Sequence, residues 1–171
     1  MSKDTLRIGC ASGFWGDSEF SAAQLVEHGD IDVLVFDYLA EITMSLLIRA
    51  KAKDPSLGYA PDFVSTIKPL MKQLKARGIR VVANAGGVNP SACREALVAA
   101  AQAEGVELKI AAVLGDDLMT QVEALRAAGT KEMFSGAPFP AKVMSANAYL
   151  GAFPIAAALS AGADIVVTGR C

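Results

Sequence analysis

Apolar positions along the chain fall into two alternating kinds of segment. Five short runs, at 6–11, 32–36, 79–84, 108–114 and 164–168, are almost continuously apolar and rich in Val and Ile (IDVLVF, IRVVAN, LKIAAVL, DIVV). Short runs without strict alternation predict strands buried on both faces. The segments between them are longer and carry helical spacing. Residues 19–28 stop at Gly29, and Ser21 with Gln24 has the spacing of a capping box. Residues 41–53 end at Asp54-Pro55, which cannot continue a helix. Phe63, Ile67, Leu70, Met71 and Leu74 form one apolar stripe ending at Gly78. Pro69 interrupts it, either kinking the helix or opening a second one. Asn89-Pro90 supplies an N-cap and a first-turn proline for a helix that runs to Ala103 and stops at Gly105. Leu118, Val122 and Leu125 mark a shorter helix ending at Gly129. Residues 130–148, with Gly136-Ala-Pro138 and Phe139-Pro140, read as an irregular insertion, a lid or a hairpin.

Strand–helix–strand repetition with connections of this length predicts an α/β fold. The expected architecture is a parallel sheet with helices on both faces, in Rossmann-like βα repeats, within a single domain over 1–171. In such sheets the ligand crevice lies beyond the carboxyl ends of the strands. Loops after strands are therefore candidates for function, and loops after helices sit at the opposite rim. His28, the only histidine, ends a helix and belongs to that opposite rim, which argues against a Ser-His-Asp or His-metal mechanism. Only Gly169-Arg170-Cys171 follows the last run. The last strand is therefore expected to lack its covering helix, and the chain to be the N-terminal part of a larger domain whose exposed apolar edge promotes self-association.

Composition sharpens this reading. Apolar residues make up 53% of the chain; with glycine added and tyrosine left out the share is about 60%, against roughly 45–50% in ordinary globular domains. That excess excludes disorder. A net charge of −2 argues against a nucleic-acid or anionic-membrane surface, which needs a basic patch. Cys10, Cys93 and Cys171 are odd in number and far apart, and read as reduced thiols of a cytoplasmic protein with no targeting leader. Residues 143–163 carry no charge over a length that spans a bilayer, but Ser145, Asn147, Pro154 and Ser160 and the many alanines predict a loop and a tightly packed helix instead.

Candidate chemistry lies in the loops after strands. The first, Cys10-Ala-Ser-Gly-Phe-Trp-Gly-Asp17, offers Gly13 for close backbone approach and Trp15 either for ligand stacking or for packing on the core. In the second, Asp37 and Glu41 can point to one side and hold a divalent cation or perform acid–base work; alternatively, Asp37 caps the next helix. The third, Asn84-Ala-Gly86-Gly87-Val-Asn89-Pro90, places two glycines at a helix N-terminus, an arrangement suited to phosphate, carboxylate or a thioester enolate, with Asn84 and Asn89 as added donors. It lacks the Lys-Ser/Thr of a P-loop. In the fourth, one of Asp116 and Asp117 caps the helix and the other is free for chemistry. Asn147, Tyr149 and Arg170 complete the set; Arg170 suits a carboxylate or phosphate, and Tyr149 is either a ligand contact or a core residue with its hydroxyl satisfied.

Taken together, GFWGD, FDYLAE, GYAPDF, NAGGVNP, LGDD, SANAYLGAFPI and GADIVVTGR resemble, in order and spacing, the N-terminal domain of the acyclic terpene utilisation AtuA family. The resemblance runs from about Arg7 to Arg170, and members of that family continue past the TGR segment. It implies bacterial catabolism of citronellol- or geraniol-type terpenoids through acyl-CoA thioesters, and it transfers no catalytic residue. The expected partner is a small-molecule branched acyl-CoA or carboxylate, its CoA moiety being part of the substrate, with homo-oligomerisation or a further domain of the same chain. The loops then fit hydratase- or lyase-type chemistry, with Asp37, Asp116 or Asp117 as acid, base or cation ligand and a backbone anion hole at Gly86 and Gly87. The alternative is a non-catalytic module that binds a CoA ester or a phosphate ligand.

Overall fold

The computed structural model describes residues 5–171. All five predicted strands form, as β1 (Ile8–Ser12), β2 (Val33–Phe36), β3 (Arg80–Ala83), β4 (Ile110–Val113) and β5 (Ile165–Thr168). They make one open, all-parallel sheet in the order β1-β2-β3-β5-β4. The helices are α1 (Ser21–His28), α2 (Glu41–Lys53), α3 (Pro61–Ile67), α4 (Met71–Arg77), α5 (Pro90–Glu104), α6 (Val122–Ala127) and α7 (Phe153–Ser160).

Pro69 does both things its position allows. It sits in a 3-10 turn, Lys68–Leu70, that divides the apolar stripe into α3 and α4 while keeping Phe63, Ile67, Leu70, Met71 and Leu74 buried. The Asn89 side chain accepts from the Ala92 N–H, and Gly105 takes the left-handed conformation that ends α5. The capping box at Ser21 does not form. The Ser18 hydroxyl accepts from the Phe20 and Ser21 N–H groups instead, and the Ser21 hydroxyl donates back to the Ala11 carbonyl, tying α1 to β1. Residues 130–148 contain one narrow turn closed by a bridge between Lys131 and Pro138. Among the described residues no helix is long and apolar enough to cross a membrane, and the uncharged stretch 143–163 divides into loop and α7.

The two sheet faces differ. On one, Leu34, Phe36, Val81, Ala83, Ile165 and Val167 meet α1, α3, α4 and α5 in the main core, where Phe36, Tyr38 and Phe63 pack edge to face. On the other, Val113 and Val166 pack under Ile155, Ala158 and Leu159 of α7. β5 is therefore buried along its whole length, between α5 and α7. Among the described residues, the bare part of the sheet is not β5 but the outer face of β1. There Ile8 is 61% exposed and Cys10 is open to solvent, so coverage of both faces holds for only part of the sheet.

Candidate functional site

The loops after β3, β4 and β5 converge on Gly169. A Cβ at Gly169 would run into the Asp116 carboxylate and lie 2.7 Å from the Gly87 carbonyl oxygen, and one at Gly86 would lie 2.6 Å from the Thr168 carbonyl oxygen. Only glycine backbone allows three strand tips to approach this closely. Asp116, 4% exposed, accepts at Oδ2 from the Arg170 N–H at 3.0 Å and from the Asn147 amide at 3.1 Å. Main-chain bonds from Ala148 to Asp116 and from Leu118 to Ala146, each 2.8 Å, hold the 130–148 insertion to the same rim. Neither aspartate caps α6, whose N-cap, Gln121, has no side-chain bond; Asp117 instead closes the local turn before it, its Oδ1 accepting from the Met119 N–H at 2.9 Å. Asp116 is the one left for the rim.

Arg170 faces the loop after β2. Its guanidinium donates to the Leu39 carbonyl at 3.2 Å, to Glu41 Oε1 at 2.9 Å and to the Tyr149 hydroxyl, and lies 4.7 Å from the centre of the Tyr149 ring. Tyr149 is 69% exposed, so it is no core residue; it is a surface wall for the arginine. The Glu41 carboxyl is held below the usual range by its own backbone N–H first and by the Arg170 guanidinium second. Asp37 is exposed and does not cap α2, whose N-cap, Ala40, has no side-chain bond. Instead Asp37 Oδ1 accepts from the Asn84 amide at 2.6 Å, while Asn84 Oδ1 accepts from the Tyr38 N–H at 2.6 Å. Asn84 thus couples the tips of β2 and β3. Burial, then the nearby Asp62 carboxylate, pushes the Tyr38 phenol up, keeping it protonated.

The remaining positions have structural partners. Gly86 and Gly87 are buried. The N–H groups of Gly87, Val88 and Asn89 donate to the carbonyls of Asn84, Gly58 and Gly86 at 3.2, 2.9 and 2.8 Å, so of the two glycines expected to form an anion hole, Gly87 spends its N–H within the fold. Gly87 has φ +55°, and a Cβ there would strike Leu47 and lie 2.7 Å from the Gly58 carbonyl oxygen. Besides capping α5, Asn89 donates to the carbonyls of Pro55 and Leu57. Gly13 donates its N–H to Asp17 at 2.9 Å, and Trp15 packs on the main core with its indole N–H on Asp62 at 2.5 Å. Asp37 and Glu41 do not pair, since each has a different partner, and among the described residues no three His, Cys, Asp or Glu side chains gather as a metal site.

Two hollows open along the rim. One, of about 550 Å³, is lined by Asp37, Asn84, Tyr149, Thr168 and Arg170 over the exposed side of β2 and β3. A narrower one, of about 290 Å³, runs between α2 and the insertion from Arg170 and Tyr149 to Ile48 and Asn147. Arg170 and Tyr149 border both. Sequence reasoning missed Gly169, whose requirement for glycine is a close approach rather than a turn, and the Leu39 carbonyl, because main-chain acceptors leave no trace in residue identity.

No curated protein and no solved structure matches the chain. The family model described as acyclic terpene utilisation family protein AtuA matches residues 6–171, which include every residue of the rim. The chain belongs to the AtuA family.

Proposed function

We propose that the chain takes the carboxylate or thioester head of an acyclic terpenoid at Arg170 and moves a proton on it with Asp37, in hydratase- or lyase-type chemistry. Family membership points to acyclic terpene utilisation. The observation that carries the reading is the placement of a nearly enclosed guanidinium and an exposed carboxylate on the walls of one cleft. Removing water from a β-hydroxyacyl group breaks the Cα–H and Cβ–O bonds, and hydration runs the same steps in reverse. The reaction requires a base that takes the α-proton and returns it to the departing hydroxyl as water, and charge stabilisation at the carbonyl oxygen. Asp37 supplies the first, held in place by Asn84. Arg170 supplies the second, positioned through Asp116, which grips its main chain. Asp117 is held in a local turn by the Met119 N–H.

The test is turnover of a branched enoyl-CoA by Asp37→Asn, Asp116→Asn and Asp116→Ala variants of the full chain. Loss of turnover with retained binding is expected in Asp37→Asn, and near-parent binding in Asp116→Asn, whose amide oxygen can still accept from the Arg170 N–H, with binding weakened in Asp116→Ala. Unchanged turnover in Asp37→Asn and Asp116→Ala removes the carboxylates from the mechanism. A second reading, a binding module without chemistry, is favoured by the Gly87 N–H, which donates to the Asn84 carbonyl and so takes one of the two expected oxyanion-hole donors out of use. Saturable binding of the CoA ester with no product would select it.

A further inference from the structure

The narrow cleft beside Arg170 does not end at Asn147. It shares Ile48, Ser145 and Asn147 with a further hollow of about 300 Å³, walled chiefly by Ile48, Ala52, Val88, Met119 and Met144. The charged groups at its border already have partners within the fold. Lys51 Nζ donates to the Val88 carbonyl at 2.6 Å, and Asp117 accepts from the Met119 N–H. Met119 and Met144 nevertheless remain 38% and 69% exposed, although they form the walls of a concavity. Thioether side chains of this kind adapt to irregular apolar ligands. The rim thus carries the Arg170–Glu41 ion pair at one end and is apolar at the other, and the two hollows adjoin at Ile48, Ser145 and Asn147.

We propose that this apolar hollow is the subsite for the aliphatic chain of a ligand whose head lies at Arg170. The proposal rests on the reading of Arg170 as the head-group site and adds to it which part of the molecule selects ligands by length. An amphipathic ligand with one anionic end and an extended hydrocarbon end matches both halves. A polyhydroxylated ligand would leave its hydroxyls against methionine and isoleucine, without partners. Ile48 stands where the two hollows join and acts as the size gate between them.

The experiment is calorimetric titration of the purified chain with straight-chain alkanoates from butanoate to decanoate, below their micellar concentrations. Each methylene that enters the hollow tightens binding by up to about fourfold. Ile48→Phe is expected to flatten this dependence by filling the junction, and Met144→Asp to flatten it without filling the space, each read as the ratio of decanoate to butanoate affinity within the same variant. Affinity that does not vary with chain length in the parent chain overturns the proposal, as does a dependence that survives in both variants. Arg170→Met separates the two ideas. If it abolishes butanoate binding while the parent shows no length dependence, the head site stands and the chain subsite falls. If a length dependence persists in Arg170→Met, the subsite stands and the head belongs elsewhere.

Discussion

Replacing Asp116 tests how the rim is held together. Its Oδ2 receives two hydrogen bonds, from the half-buried main chain at Arg170 and from the half-buried Asn147 amide. Asp116→Ala leaves the Arg170 N–H without an acceptor, at a cost of about 1–3 kcal/mol. Asn147 turns partly to water, adding roughly 1 kcal/mol. The total, about 2–4 kcal/mol, corresponds to a loss of roughly 4–16 °C in Tm for a chain of this size. In Asp116→Asn the amide oxygen can take the place of Oδ2 and accept both bonds, so its cost should be well below that of Asp116→Ala. Urea unfolding followed by the fluorescence of the single tryptophan, Trp15, measures both, with circular dichroism as a second probe. An Asp116→Ala chain as stable as the parent would refute the reasoning. So would an Asp116→Asn chain that is less stable than Asp116→Ala, because the order of cost follows directly from which acceptor survives.

Other perturbations read other parts of the same rim. Gly87→Ala should destabilise the chain by about 1–3 kcal/mol through overpacking alone, since Leu47 and the Gly58 carbonyl occupy the space a Cβ needs; unfolding at unchanged denaturant midpoint would contradict this. A thiol reagent should modify Cys10 and Cys171 in the native chain and spare Cys93, whose thiol burial pushes up to about 12; three fast-reacting thiols would mean that α5 opens readily. The Glu41 carboxyl should titrate below 4.5, its ordinary value, as read by carboxyl carbon shifts. Because its pKa is lowered in the folded state, its contribution is complete above 4.5 and is lost as pH falls through the folded value. Arg170→Met should move the titration only part of the way back, since the Glu41 backbone N–H remains. Glu41→Gln, by releasing Arg170, should tighten alkanoate binding severalfold; an unchanged Kd would place the head group elsewhere.

The elements and their direction were legible in the residues alone. Five short apolar runs separated by long amphipathic segments can only be parallel strands with crossovers, and local chemistry set the ends of α5 through Asn89, Pro90 and Gly105. Where a local choice had two chemically equal answers, distant contacts chose. Ser21 turned to the Ala11 carbonyl rather than cap its own helix, and Asp37 turned to Asn84, because strands already adjacent put those partners within reach. The pair Asp116-Asp117 is symmetric in sequence, and only the arrival of Arg170 and Asn147 from far along the chain distinguishes the two. The glycines of NAGGVNP are visible in the sequence as glycines, but their purpose is not. Whether their N–H groups face a ligand or the fold depends on Gly58 and Leu47, which are distant in sequence and adjacent in space. The bare outer face of β1, likewise, follows from strand order, since β1 is an edge strand and β5 lies inside the sheet between β3 and β4. Periodicity reports which positions are apolar along one segment; which segment comes to lie against it is settled by packing across the whole chain.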